Sequence, residues 1–83
     1  MADARKNPRN VRVSRILHER RLELGMTQME VALRSGIAPQ HYQSFETGRR
    51  AIAWARMEIG LKICAVLELD PYDLLFSDYT ISI

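Results

Sequence analysis

A chain of 83 residues, 47% apolar and 27% charged, has the length and composition of a single globular domain, which excludes a disordered chain. The one cysteine, Cys64, excludes an intramolecular disulfide, and no His/Cys cluster has the spacing of a metal site. With no secretory leader and no apolar run of about 18 residues, the sequence predicts a cytoplasmic protein without metal or other cofactor.

The basic residues are concentrated at one end of the chain. Lys and Arg outnumber Asp and Glu by 7 to 2 in residues 1–21, whereas the counts are 5 and 8 in the remainder, for a net charge of +2. Such an end can contact phosphates, or it can be a solvated tail. Residues 1–10 include Asn7-Pro8 and little apolar material, so we expect them to form a flexible basic arm.

Two helices are predicted in the first half of the chain. From Val11 onward apolar residues recur at near-helical spacing, and Gly25 is suited to end this first helix. Thr27 and Glu30 form a T-x-x-E capping box, which starts a second helix that ends at Gly36.

Three further helices follow, so the predicted fold class is all-α. Residues 39–46 form a short third helix with proline at its first position, and residues 53–68 form a fourth with a broad apolar face. Asp70 caps a fifth helix that reaches Phe76. Residues 79–83 alternate apolar and polar side chains, which indicates either a minimal strand that pairs with a second subunit or a frayed end.

The second and third helices are too short to be stable alone, because helix nucleation is costly. Two such helices joined by a glycine turn, with small Ala32 where their axes cross, are typical of a helix-turn-helix, whose second helix enters the major groove of DNA. On the third helix Gln40, Gln43 and Ser44 form a polar arc without an aliphatic member. This arc is predicted to read bases, and the alternative is an ordinary solvated face.

An ordered set of short segments resembles the phage-repressor and Cro-like (Xre-type) helix-turn-helix family over about residues 12–76. The segments are LGMTQ (24–28), VA (31–32), SGI (35–37), FETG (45–48), LKIC (61–64), Leu67 and DLL (73–75). The resemblance implies a compact five-helix bundle, here spanning residues 11–76. It also implies a sequence-specific transcriptional regulator that binds double-stranded DNA as a homodimer and is not an enzyme.

The resemblance also implies roles for individual residues. Base-reading positions fall on Pro39, Gln40 and Ser44, phosphate contacts fall on Gln28, Arg49 and Arg50, and a structural ion pair falls on Arg21 and Glu46. Gln43 is added to the base-reading set from its place on the polar arc, and Thr27 and His41 are added as phosphate contacts.

Other interpretations remain open at this stage. Arg49 and Arg50 would otherwise form a solvated turn, and Trp54 is expected to be a packing anchor or an interface residue. Cys64 is expected in the core. The low net charge and Pro39 favour an alternative function, a protein-interaction module that keeps the fold without specific DNA binding and docks through the fourth helix.

Overall fold

The computed structural model describes the backbone of residues 4–80 and the side chains of residues 4–76. Its α-helices are α1 (Pro8–Glu23), α2 (Gln28–Ser35), α3 (Pro39–Glu46), α4 (Met57–Val66) and α5 (Pro71–Thr80), with 3-10 turns at Ala4–Lys6 and Ile52–Trp54. No strand occurs within residues 4–80, and the all-α, five-helix prediction is confirmed. None of the described helices is long and apolar enough to cross a membrane.

Helix α1 begins three residues earlier than expected, at Pro8. Asn7 precedes it in an extended conformation, and its side-chain Oδ1 accepts a hydrogen bond from the backbone amide of Asn10 at 3.2 Å. Pro8 takes the first helical position, where a missing backbone donor does no harm. Asn7-Pro8 is therefore a helix start rather than part of a loose arm.

The same end of the chain is fastened to the turn after α3. Asn10 is buried, and its side-chain amide donates to the carbonyl of Ala4 at 3.2 Å and to that of Gly48 at 2.9 Å. Ala4 is itself only 1% exposed. The expectation of a flexible arm is therefore wrong for residues 4–10, because a buried amide holds them in place, while residues 1–3 lie outside the described part.

The local signals around α2 act as expected. The hydroxyl of Thr27 accepts from the amide of Glu30 at 3.1 Å, and the Glu30 carboxylate accepts from the amide of Thr27 at 2.8 Å. Gly36 ends the helix in the left-handed region with φ of +73°, and the amide of Ile37 donates to the carbonyl of Ala32 at 3.0 Å. These bonds make a sharp, closed turn between α2 and α3.

The start of α4 differs from the prediction of residue 53. Ile52 is buried and begins a 3-10 turn that packs against α1, after which Ala55 and Arg56 are extended, with ψ of 165° and 140°. Helix α4 therefore starts only at Met57. Burial of Ile52 in the core therefore determines the backbone here, although the residues that follow it have a helical pattern.

Helix α5 starts as predicted but runs further. The Asp70 carboxylate accepts from the amide of Asp73 at 3.0 Å, and the helix continues past a kink at Phe76 to Thr80. Residues 79–80, for which either a strand pairing with a second subunit or a frayed end was predicted, are instead the last residues of α5. Residues 81–83 lie outside the described part.

One apolar core receives side chains from all five helices. Its buried members are Val13, Leu17, Val31, Ala32, Tyr42, Phe45, Ile52, Ile63, Cys64, Leu67 and Leu74. Helices α2 and α3 are each only eight residues long, so burial of their inner faces against α1 and α4 stabilises them. Cys64 lies within this core, and its burial raises the pKa of the thiol.

A buried ion pair joins α1 to the end of α3. Nε and Nη2 of Arg21 donate to the two carboxylate oxygens of Glu46 at 2.8 and 2.7 Å, and Nη1 donates to the carbonyl of Met26 at 2.8 Å. The same carboxylate accepts from Nδ1 of His18 at 2.7 Å and from Nε2 of Gln28 at 3.2 Å. One carboxylate thus connects α1, α2 and α3.

Burial of Glu46 disfavours its charged form, but the hydrogen bond from Arg21, followed by that from His18, outweighs burial and lowers the pKa to about 2. The bond to Glu46 correspondingly raises the pKa of Arg21. Removing one member alone would leave a buried charge without a partner, which costs far more than the pair contributes in net stability.

We expect this carboxylate to control the acid stability of the fold. Because the pKa of Glu46 falls from 4.5 to about 2 on folding, its stabilising effect is complete above pH 4.5 and is lost as the pH drops towards 2. The free energy of unfolding should fall by roughly 3 kcal/mol over that interval from this group. Urea unfolding followed by circular dichroism at stepped pH measures it.

In Glu46→Gln the protein should be less stable throughout, but its stability should depend much less on pH below 4.5. Glu58→Gln is the control, since the Glu58 side chain is 61% exposed and its loss should leave the acid dependence as steep as before. An unchanged acid dependence in Glu46→Gln would contradict the assignment.

Candidate nucleic-acid interface

The outer face of α3 carries Gln40 and Gln43, and both side chains are exposed. The opposite face is anchored by Tyr42 and Phe45, which are almost completely buried. Neither glutamine amide has a hydrogen-bond partner among the described residues, so each keeps a donor and an acceptor available. A rigid helix therefore presents two free amides to a ligand.

The other two predicted base-reading residues are less well equipped. Ser44 is half-buried, and its hydroxyl donates to the carbonyl of His41 at 2.6 Å, which leaves the oxygen as an acceptor. Pro39 is half-buried at the first position of α3 and has no polar side-chain atom. Of the four predicted base-reading residues, only the two glutamines therefore have a free side-chain donor.

A tight turn brings the two arginines after α3 back towards it. Gly48 adopts φ of +82°, and a Cβ at this position would lie 3.3 Å from Oγ of Ser14, so only glycine fits without strain. The amide of Arg50 then donates to the carbonyl of Ser44 at 3.0 Å. Arg49 and Arg50 are exposed, and neither forms an ion pair with any described residue.

Five of the predicted contact residues share one concave surface. A cavity of about 380 Å³ is lined by Gln40, His41, Ser44, Arg49 and Arg50. The His41 ring is half-buried, with its centre 5.0 Å from that of Phe45. One free glutamine amide beside two unpaired guanidinium groups makes this surface suited to a polar, anionic ligand.

The start of α2 is less open than expected. The Thr27 hydroxyl serves as the helix cap, and Nε2 of Gln28 donates to Glu46, so both side chains already have structural partners. Hydrogen bonds from the backbone and then the side chain of Thr27 lower the pKa of Glu30, which places a negative charge beside the helix start. A phosphate here would depend mainly on the backbone amide of Gln28 and would meet that charge.

Much of the charge at the basic end of the chain is used within the fold. Arg12 donates to the carbonyl of Leu74 at 3.0 Å, and Arg20 donates to that of Leu67 at 2.9 Å, so each satisfies a carbonyl of another helix. Arg21 is the buried partner described above. Fewer basic residues are therefore available to contact phosphates than the number of Lys and Arg residues at this end of the chain indicated.

One exposed basic residue, Arg5, was not named among the predicted contact residues but lies next to the turn at Gly48. The Arg5 Cγ atom would be 3.8 Å from a Cβ on Gly48. Asn10 produces this placement by bonding to Gly48, and an asparagine 38 positions away gives no local signal of such a contact.

Trp54 is 56% exposed, so it is not the packing anchor that we considered. It lines a second cavity of about 310 Å³, which lies next to the first and shares His41, Arg49 and Arg50 with it. We call these two the basic cavities. An apolar groove of about 240 Å³, which shares Ala55 with the second cavity, is lined by Ile52, Ala53, Ala55, Arg56, Met57, Gly60, Leu61, Cys64, Pro71, Leu74 and Leu75. No group of three His, Cys, Asp or Glu side chains within residues 4–76 could hold a metal ion.

Comparison with known proteins agrees with this geometry. A helix-turn-helix family model matches residues 17–74, which include all of α2, the turn and α3. No curated protein and no solved structure matches the chain. Because the match covers more than half of the sequence, the chain belongs to the Xre/Cro-like helix-turn-helix family, which is a family of DNA-binding regulators.

Proposed function

We propose that this protein is a sequence-specific transcriptional regulator that places α3 in the major groove of double-stranded DNA. The observation that carries the proposal is the concave surface on which Gln40 lies beside Arg49 and Arg50, with the exposed Gln43 also on the outer face of α3. A glutamine amide can pair bidentately with the N6 and N7 edge of adenine. Free amides at the centre and unpaired arginines at the side match base edges flanked by phosphates.

The arginines supply affinity without reading sequence. Neutralising a phosphate with Arg49 or Arg50 releases condensed counterions, which makes binding strong at low salt and weak at high salt. Arg5 borders the same turn and adds to this field. The amide of Gln28 and the hydroxyl of Thr27 complete the proposed phosphate contacts at the start of α2, opposed in part by Glu30.

The proposal includes a homodimer, with the apolar groove between the 3-10 turn at Ile52–Trp54, α4 and α5 as the contact between copies. Met57 is 77% exposed on its edge, and Leu61 is also exposed. Two copies would read half-sites about one helical turn apart on one face of the duplex. Covering this groove removes exposed apolar surface that a monomer would leave in water.

The same groove favours one alternative, a protein-interaction module that keeps the fold without specific DNA binding. Salt separates the two functions, because docking through an apolar face responds little to ionic strength. Selection of bound duplexes from a random pool, followed by titration of the best one at two salt concentrations, tests the proposal. Enrichment of a two-fold symmetric motif with steeply salt-dependent affinity supports it, and absence of enrichment contradicts it.

Replacing Gln40 by Ala should relax base preference more than it weakens binding. Loss of a bidentate pair removes roughly 1–3 kcal/mol of discrimination at one base position of each half-site. Affinities for a set of duplexes with every base at each position measure this effect. Equal loss on all four bases would show that Gln40 does not read sequence.

Replacing Arg49 by Ala should weaken binding to all duplexes alike and reduce the slope of log affinity against log salt by about 1 for each bound protomer. Arg15→Ala is the matched control, because Arg15 on α1 is exposed and lies outside the two basic cavities and the apolar groove. A slope that is the same in wild type and Arg49→Ala would exclude a phosphate contact at this residue.

Replacing Leu61 by Glu should separate the dimer, since it puts a charge in the apolar groove. Analytical ultracentrifugation should then show monomers at concentrations where the wild type is dimeric. Binding to a duplex with two half-sites should weaken strongly, while binding to one half-site changes little. A Leu61→Glu variant that stays dimeric would place the contact elsewhere.

A further inference from the structure

From the second basic cavity we infer that Trp54 is an additional DNA-contact residue, whose indole ring packs against the sugar-phosphate backbone next to the phosphates bound by Arg49 and Arg50. This inference rests on the proposed function and extends it beyond α3. It assigns a ligand class, the deoxyribose and phosphate of a duplex strand, to a surface outside the helix-turn-helix itself.

The cavity has an aromatic and aliphatic lining with a cationic rim. Its residues are His41, Phe45, Arg49, Arg50, Ala51, Trp54 and Ala55. The first cavity shares the three basic members, so the two form one surface that extends from Gln40 to Trp54. A strand whose phosphates bind the shared arginines must therefore pass close to the indole.

The chemistry of the indole suits this ligand. Trp has a large apolar face and a single N–H donor, while a deoxyribose has apolar carbons flanked by phosphate oxygens that accept hydrogen bonds. The positive charge on the rim favours an anionic polymer over an apolar protein surface.

The position of Trp54 is set by the fold. Its backbone amide donates to the carbonyl of Ala51 at 3.0 Å, and the amide of Ala55 donates to that of Ile52 at 3.1 Å. Ala51 and Ile52 are both buried, so the 3-10 turn is anchored on its inner side while the indole stays outside. Because the backbone is already anchored, contact with a ligand has to order only the side-chain torsions of Trp54.

Trp54 is the only tryptophan, so its fluorescence reports this one contact. The probe is a duplex of about 20 base pairs, long enough for two half-sites. Fluorescence of the protein and anisotropy of the labelled duplex are measured in the same titration. The expected result is a change in indole emission that saturates together with the anisotropy.

Trp54→Ala should lower duplex affinity roughly 5- to 10-fold on every sequence while leaving the salt slope unchanged, because the ring carries no charge. Trp54→Phe keeps an aromatic face and should recover most of the loss. Leu22→Ala, which changes an exposed apolar residue outside this cavity and outside the apolar groove, should bind like wild type. The exposure of Trp54 means that all three variants should melt within a few degrees of wild type.

Three results would overturn the inference. If the anisotropy shows duplex binding while the indole emission and the Trp54→Ala affinity stay as in wild type, Trp54 makes no contact although the proposed function stands. If the single strand of the same sequence binds more tightly and changes the emission more, the ring stacks unpaired bases. If an acidic peptide reproduces the emission change and no duplex binds, the surface serves a protein and the proposed function fails with it.

Discussion

The carboxylate of Glu46 is the point on which the arrangement of the three central helices depends. It ends α3, and it is bound by Arg21 and His18 of α1 and by Gln28 of α2. Neither α2 nor α3 is long enough to hold its own conformation, so their relative angle must come from contacts between them and with α1. A charged, directional interaction at that junction specifies a geometry that apolar packing alone leaves looser.

This junction also explains how a small protein holds the outer face of α3 in a defined position. The inner side of α3 is fixed by Tyr42, Phe45 and Glu46. The glutamines on the outer side therefore have no role in packing, and their side-chain amides have no hydrogen-bond partner among the described residues. Gln28 is the exception, because it has a partner on both the structural and the proposed binding side. The position of the Gln28 side chain is therefore coupled to the integrity of the ion pair.

The features visible in the sequence were those set by neighbours a few positions apart. The capping box of Thr27, the glycine end at Gly36 and the Asp70-Pro71 start each depend on bonds across one turn, and each occurs where expected. The start of α4 was wrong because the burial of Ile52 against α1 is a long-range effect. The prediction for residues 4–10 was wrong for the same reason, because Asn10 bonds to Gly48, which is 38 positions away.

For the site, the pattern of side chains on α3 was readable, since helical periodicity alone separates Gln40 and Gln43 from the aromatic face. The roles of the individual charged residues could not be predicted from the sequence. Arginine residues look alike in a sequence whether they bond to a carbonyl within the fold, as Arg12 and Arg20 do, or stay free, as Arg49 does. Only the positions of distant carbonyls and carboxylates decide between those uses.

The bond from Asn10 to Gly48 has a practical consequence for anyone handling this protein. Because it fastens the first residues beside the basic turn, whatever is fused ahead of residue 4 emerges next to the face proposed to meet DNA. An affinity tag or a fluorescent protein at that end would hinder access to that face. Labels for binding work are better attached to the exposed side of α1, for example at Glu19, away from both basic cavities.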